Sequence, residues 1–297
     1  MRVLRVLHGL MAALSVFAAG SAMAAVLSSP ATVEAVQAPA WLDRQGYTTA
    51  LVPGTELRNG DVLRTGEGAR AYLMLAEGSR VKLGESARFT LYSRSTQPKK
   101  HFRGALDLAV GAFRFTTNTI KRVKQHDLTI RVSTATIGIR GTDIWGRADA
   151  NSELIALLEG RIEIARSGTS TELAQAMTYF EAPRGEAGEI KVLDPELRKT
   201  LVRQTEIEPG DGAARGRGLW RAVAGVLPSS EEALELYDQI REAGFAVRVR
   251  PHAMDELDAG KGWHYEVALT GFSSEAEARA AAVRLKTLAG VSARVTR

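Results

Sequence analysis

Asp127-Leu128-Thr129-Ile130-Arg131-Val132 alternates polar and apolar side chains without a break. Successive side chains of an extended strand point to opposite faces, so this stretch predicts a strand with Leu128, Ile130 and Val132 on its buried side. The same period recurs outward in both directions. Ala69-Arg70-Ala71-Tyr72-Leu73-Met74-Leu75, Arg80-Val81-Lys82-Leu83 and Arg88-Phe89-Thr90-Leu91-Tyr92 precede it. Leu154-Ile155-Ala156-Leu157-Leu158 and Arg161-Ile162-Glu163-Ile164 follow. Asn59-Gly60-Asp61, Glu77-Gly78, Gly84-Glu85, Val110-Gly111 and Glu159-Gly160 supply turn chemistry between them. No helical period intervenes between Tyr47 and Phe180, which predicts an all-β unit of short strands, sandwich-like or solenoid-like.

Beyond Pro183 the pattern changes. Asp194-Pro195-Glu196 is a helix start, with Asp194 as N-cap and Pro195 in the first turn, and this short helix ends near Gln204. Glu208-Pro209-Gly210-Asp211-Gly212 and Arg215-Gly216-Arg217-Gly218 read as a flexible linker, so residues 184–218 form a short helix and linker. Few contacts are expected across that boundary.

From Leu219 onward the chain repeats itself weakly. Trp220-Arg221-Ala222-Val223-Ala224, a helical pattern opened by Ser229-Ser230-Glu231, and Phe245-Ala246-Val247-Arg248-Val249 form the first copy. Tyr265-Glu266-Val267-Ala268-Leu269, a helix opened by Ser273-Ser274-Glu275, and Ala293-Arg294-Val295 form the second. Ser229 and Ser273 are the expected N-caps. Leu234, Tyr237 and Ile240 share one expected face of the first helix; Ala278, Ala281, Val283 and Leu285 share that of the second. Two such units predict a small α+β domain, βαββαβ, with a four-stranded sheet and both helices on one face. The other face is then bare. If Ala222, Ala224, Val247, Val249, Val267, Leu269, Ala293 and Val295 face the helices, the bare face carries Arg221, Val223, Arg248, Arg250, His264, Glu266, Ala268 and Arg294. That set is rich in hydrogen-bond donors. Trp220 and Tyr265 point inward in this register, and Trp263 lies at the rim.

A chain of 297 residues has room for about two domains. Hydrophobic residues at 45% and charged residues at 25% exclude wholesale disorder. The net charge of +5 is too mild to argue for nucleic acid, and none is expected as a partner. The count of zero cysteines excludes disulfides, thiolate metal sites and a cysteine nucleophile. Arg2 and Arg5, an apolar run from Val6 to Ala19, and Ala22-Met23-Ala24 make a signal-peptidase pattern, so residues 1–24 read as a cleaved signal peptide. No later stretch has the length and apolarity of a membrane-spanning helix. The mature chain is expected in the periplasm of a Gram-negative bacterium.

Candidate chemistry is sparse. Gly138-Ile139-Arg140-Gly141-Thr142 could cradle an anion or meet a partner through its amides and Arg140; a bulged turn with Arg140 paired internally is the preferred explanation, because the Lys-Ser/Thr ending of a phosphate loop is missing. Residues Arg94 to Lys124, including Lys99, Lys100, Arg103 and Arg114, are basic, either as a solvated surface or as an attraction for anions. The histidines lack metal-ligand spacing and no nucleophile elbow is present, so no metal, no cofactor and no enzymatic activity is expected.

Leu57-Arg58-Asn59-Gly60-Asp61-Val62-Leu63-Arg64-Thr65-Gly66, Ala76-Glu77-Gly78-Ser79-Arg80-Val81-Lys82-Leu83-Gly84, Val132 to Thr142 and Leu157 to Ile164 together resemble the FecR domain over about residues 47–166. The strand-rich domain is accordingly expected over residues 25–183. The best-known members relay an iron-transport signal to a sigma factor through a cytoplasmic segment and a membrane helix; this sequence shows neither, so that role is not carried over. Residues 219–297 resemble the SPOR domain, on the βαββαβ order, on Gly271-Phe272-Ser273-Ser274-Glu275-Ala276-Glu277-Ala278 and on Gly225-Val226-Leu227-Pro228-Ser229-Ser230-Glu231. Val223 departs from the pattern, where a polar residue is common. That resemblance implies a module binding peptidoglycan, as denuded glycan strands, on the bare sheet face. The combined expectation is a non-catalytic envelope protein with an unidentified envelope protein as second partner. The alternative is a sensory adaptor in envelope signalling.

Overall fold

The computed structural model describes residues 29–93, 102–117, 126–139, 141–253 and 262–297. The expected signal peptide, six of the eight lysines and arginines of the basic stretch and Arg140 lie outside the described residues.

Alternation along the chain yields two long sheets. In order come β1 (Ala31–Gln37), β2 (Ala40–Arg44), β3 (Tyr47–Ala50), β4 (Glu56–Leu57), β5 (Val62–Thr65) and β6 (Arg70–Leu75). Then follow β7 (Arg80–Leu83), β8 (Arg88–Ser93), β9 (Phe102–Thr116), β10 (His126–Val132), β11 (Ala135–Ile139) and β12 (Asp143–Ala148). β13 (Ser152–Glu159), β14 (Ile162–Arg166), β15 (Thr169–Leu173), β16 (Thr178–Pro183) and β17 (Glu189–Val192) complete this body. One sheet runs β3–β2–β5–β8–β9–β10–β11–β14–β15. The other runs β4–β1–β6–β7–β9–β12–β13–β16–β17. Their inner faces share one core: Leu63, Phe89, Leu106 and Ile130 from the first sheet meet Leu73, Phe113, Phe115 and Leu157 from the second. This is a sandwich. Each buried Leu or Phe side chain contributes about 1.5–3 kcal/mol through the apolar area it removes from water.

β9 belongs to both sheets. Phe102 to Leu108 pair in parallel with β10 and Gly104 to Val110 with β8, whereas Gly111 to Thr116 pair with β12. The Val110-Gly111 signal, read from sequence as a turn between strands, is therefore a crossing within one strand. Gly111 has φ +96, and a Cβ there would lie 2.4 Å from Ala87 Cα. Only glycine fits both the backbone and the space.

α1 (Pro195–Arg203) begins as expected: the Asp194 carboxylate accepts from the amides of Glu196 and Leu197, and Gln204 caps its end. Leu201, with the preceding Leu193, packs on Trp145, Leu154 and Ala156 on the outer face of the second sheet. The chain then crosses that face, held by Glu206. Its carboxylate accepts from Lys82 (2.7 Å), Tyr72 Oη (2.9 Å) and Arg114 (3.0 Å), and Arg114 also donates to Asp143 (2.7 Å). Arg114 is thus an internal cation rather than part of a basic surface. Burial alone would raise the Glu206 carboxyl; the hydrogen bond and charge of Lys82, with Tyr72 and Arg114 behind them, outweigh it and hold the group below its ordinary value of 4.5. Burial pushes the Tyr72 phenol upward, so it stays protonated as a donor to Glu206 while accepting from the Ile207 amide.

A lowered carboxyl contributes stability that is present above its unfolded value and lost as pH falls through its folded one. Melting temperature is therefore expected to drop below about pH 4.5, and Glu206→Gln is expected to lose about 1–2 kcal/mol at pH 7 and much less at pH 3, the half-exposed site moderating the loss. Thermal melts of both proteins from pH 7 to pH 3 check this; a constant difference across that range would assign the loss to shape instead of charge.

The C-terminal part comprises β18 (Ala213–Leu227), α2 (Ser230–Glu242), β19 (Val247–Ala253), β20 (Trp263–Phe272), α3 (Glu275–Ala289) and β21 (Arg294–Thr296). The sheet order is β21–β18–β20–β19, and α2 and α3 share one core with it. Ser229 caps α2 as expected, but α3 is capped by Ser274, not Ser273, because β20 runs on to Phe272. The inward stripes are Ala233, Leu236, Tyr237, Ile240 and Ala278, Ala281, Ala282, Leu285, both spaced i, i+3, i+4, i+7. Leu234 and Val283, expected on those faces, are 54% and 62% exposed.

The glycine-rich stretch expected as a flexible linker is instead largely ordered strand. β18 starts at Ala213, pairs with β1 through Val36 and Gln37, and continues into the C-terminal sheet. The Glu277 carboxylate accepts from the amides of Gly210 (2.9 Å), Gly212 (2.6 Å) and Ala213 (2.8 Å). Around it, Arg284 donates to the carbonyls of Ala38 and Glu67, Trp41 Nε1 to that of Glu242, and the Ala40 amide to that of Gly244. The expectation of few contacts across the boundary fails for that reason: backbone donors freed by glycine-rich sequence find acceptors far along the chain.

Candidate functional site

The face of the C-terminal sheet opposite α2 and α3 carries a row fixed by strand register: Arg294, Val223, Ala268, Arg248. Two small residues stand between two arginines. A second row reads Val226, Glu266, Arg250, and His264 lies across from His252. The face assignment made from alternation holds, because Ala222, Val247, Val267 and Leu269 are in the helix-side core with Trp220 and Tyr265 packed on it.

Exposure on this face is uneven. Arg248, Arg250 and Arg294 are exposed; Arg221 and His264 are half-buried; Val223, Ala268 and Glu266 are buried. Val223, Ala268 and Glu266 were expected in solvent, and burial corrects that. Each lies in the trough among longer neighbours, so Val223 and Ala268 form a floor and the arginines its sides. Arg221 Nε stands 3.7 Å from Glu266 Oε1, and neither atom has a hydrogen-bond partner among the described residues. This pair is a charged spot with unused donor and acceptor capacity on the trough wall. Trp263, 56% exposed, starts β20 and precedes His264, which stacks on His252 with centroids 5.5 Å apart.

One end of the trough meets the sandwich. Val52 and Pro53 face Arg248, Arg250, Thr270 and Gly271 across a cleft of about 120 Å³. Thr270, His252 and this wall were missed by the sequence reading. Carrying the alternation of β19 and β20 two residues further would have found the first two; no local signal marks the wall.

The Gly138–Thr142 motif has a structural part. Gly138 pairs with Thr129 in the first sheet, and Asp143 begins β12 in the second, so the chain changes sheets here. Gly141 has φ +64, and the return crossing at Gly160 passes so close that a Cβ would lie 2.4 Å from the Gly141 carbonyl oxygen. Glycine is required at Gly160 by conformation and contact, whereas at Gly141 the positive φ alone favours it, since a Cβ there meets nothing within 4 Å. Thr142 is buried. The outer face of the first sheet, by contrast, is open: Tyr92, Arg103, Thr129 and Arg131 line a groove of about 530 Å³. Among the described residues, no group of three or more His, Asp or Glu is arranged to hold a metal ion, and no helix is long and apolar enough to cross a membrane.

Comparison with protein families matches residues 61–163 to the FecR protein family and residues 216–297 to the SPOR domain. The chain is a FecR-domain protein with a C-terminal SPOR domain. No curated protein sequence matches it. Solved structures similar to it include two crystal structures of an anti-sigma factor candidate from Parabacteroides distasonis. One shares 12% identity at TM-score 0.40, covering 48% of this chain and 64% of its own. The other shares 13% identity at TM-score 0.40, covering 77% and 91%. The chain spans 64% of the length of the first of these. The SPOR match takes in Gly216 and Gly218, so β18 enters the SPOR sheet from a strand end already paired to the FecR-side sandwich.

Proposed function

We propose that the open face of the SPOR sheet binds peptidoglycan glycan strands and that the FecR domain holds a second envelope partner, making this chain a non-catalytic periplasmic protein. The observation that carries the reading is the trough itself: exposed Arg248, Arg250 and Arg294 flank a low floor of Val223 and Ala268 on a sheet face that no helix of the described residues covers. A glycan strand is long, hydroxyl-rich and dotted with carbonyls and carboxylates, which matches many donors spread along a shallow track. The open groove at Tyr92 and Arg131 supports the partner role of the FecR domain. A second reading, an adaptor in envelope signalling, is favoured by β18, which couples both sheets through one strand. The corner at Gly138, Gly141 and Thr142 is left to structure in this reading.

Arg248→Ala with Arg294→Ala is the test, in the full chain. Both side chains are exposed, so the melting temperature is expected to stay nearly constant. Each lost charged donor is worth about 1.5–3 kcal/mol, so co-sedimentation with purified sacculi is expected to weaken at least tenfold. Arg221 is unsuited to this test, since its loss strands buried Glu266. Sedimentation equal to wild type would remove the SPOR face as the binding surface. Cross-linking from Tyr92 in cells would separate the two readings of the FecR domain by what is captured.

A further inference from the structure

We infer that the cleft where the FecR-side sandwich meets the SPOR sheet is a carboxylate subsite of the glycan track, completed by Val52 and Pro53. It deepens the glycan-binding reading above and depends on it. The wall is built by a tight turn. Thr55 N donates to Val52 O, Pro53 stands at the second position and Gly54, with φ +88, at the third. Proline at i+1 and a positive-φ glycine at i+2 define a type II turn, a stiff element. Pro53 Cβ lies 3.6 Å from where a Cβ on Gly216 would stand, so the turn rests on β18 as it enters the SPOR sheet.

Opposite the turn, Arg248 and Arg250 alternate on edge strand β19 and face the same side. Among the described residues neither has an ion pair, although Arg221 and Arg241 on the same module do. Thr270 adds a hydroxyl beside them. Gly216, Gly218 and Gly271 leave backbone uncovered along the floor of the cleft. The result is a pocket with two cations that make no ion pair among the described residues, one hydroxyl and an apolar wall. It fits an anion attached to a bulky, partly apolar frame better than it fits a neutral hydroxyl, because two guanidinium groups gain most from a charged acceptor. On a glycan strand that anion is a carboxylate, from the lactyl ether or from a stem peptide. The wall closes the trough at this end, so the sandwich helps to choose what the SPOR sheet accepts.

The test uses the full chain and four preparations of sacculi: intact, stripped of stem peptides by an amidase, and each of these with carboxylates capped by methylamine. Wild type is expected to bind the uncapped form of at least one preparation roughly tenfold more tightly than its capped form, the worth of about one charge-assisted hydrogen bond. The preparation that shows the difference identifies the source of the carboxylate. Pro53→Glu places a fixed anion in the cleft and is expected to bring uncapped binding down to the capped level. Arg248→Gln with Arg250→Gln, on exposed positions, is expected to abolish the difference too, and covers the case in which Pro53→Glu disturbs the turn. Arg294→Ala is expected to weaken capped and uncapped forms by the same factor. Equal binding of capped and uncapped forms by wild type would overturn the subsite while leaving glycan binding intact. Preserved discrimination in a folded Pro53→Glu protein would remove the wall from the site. No binding to any preparation would overturn both readings.

Discussion

Gly111→Ala is expected to destabilise the protein by roughly 3–5 kcal/mol, the sum of a non-glycine residue forced to positive φ and an overpacked core position. The new methyl would meet Ala87 at 2.4 Å from its Cα, 2.6 Å from its Cβ and 2.8 Å from its nitrogen, in the short connection that enters β8. Ala87 is itself fixed, since its amide donates to the buried Thr65 hydroxyl, which in turn donates to the Gly84 carbonyl. The residue must bend β9 from one sheet to the other, so relief by altering φ would unpair either Val110 from Arg88 or Gly111 from Ala148. Urea unfolding of purified wild type and variant measures the loss. A difference below about 1 kcal/mol would mean that β9 does not cross between sheets as one strand, because a loop at that point would absorb a methyl group. Gly160→Ala makes a control at a similar contact, 2.4 Å from the Gly141 oxygen, on a different crossing.

Glu277→Gln is expected to cost about 3 kcal/mol and to change how the protein melts. Three backbone amides converge on the two carboxylate oxygens, Gly210 on one and Gly212 with Ala213 on the other. The side chain is buried, so water cannot replace a lost acceptor. A glutamine carries one acceptor oxygen and one NH2; whichever way it turns, at least one amide faces another donor. With a charged acceptor at about 1.5–3 kcal/mol per bond and partial relaxation, a net loss near 3 kcal/mol shifts the midpoint by several degrees in a chain of this size. Wild type is expected to unfold in a single transition, because β18 and this carboxylate tie the SPOR sheet to the sandwich. The variant is expected to split into two transitions when followed by tryptophan fluorescence and by circular dichroism together. A wild-type melt already in two steps would show that the tie is energetically weak, and a variant as stable as wild type would show that the amides have other acceptors. For the same reason, cutting the chain between residues 205 and 216 is expected to expose β1 along Val36 and Gln37 and yield pieces less stable than the whole.

Period-two alternation was enough to locate most strands of the sandwich and to say which side of each faces inward, because a side chain on a strand has only two directions to point. Leu128, Ile130 and Val132 are buried, as their alternation with Asp127, Thr129 and Arg131 requires. The same logic, applied to β18, β19 and β20, separated Ala222, Val247 and Leu269 from Arg221, Arg248 and Ala268. Helix α1 was legible from Asp194 and Pro195 alone, since its cap and first turn lie within three residues. The families, too, were written in local motifs.

Four features needed the tertiary structure. Gly111 carries the same local signal as a hairpin glycine, and only its partners, Ala148 on one side and the crowding at Ala87, make it a crossing. The glycine-rich stretch at 210–218 has no side chains to hold it, so composition alone says flexible; Glu277, 64–67 residues further on, and Val36, far upstream, supply the acceptors and the strand edge that order it. Burial of Val223 and Glu266 likewise followed from neighbours across the sheet, as did the wall that Val52 and Pro53 raise beside Arg248 and Arg250. The sequence determined which residues could lie on each face, because that choice is made by the backbone one residue at a time. Which faces are covered, which glycines bend and which cations remain unpaired was decided only by long-range pairing, because those properties belong to contacts between segments and have no representation in either segment by itself.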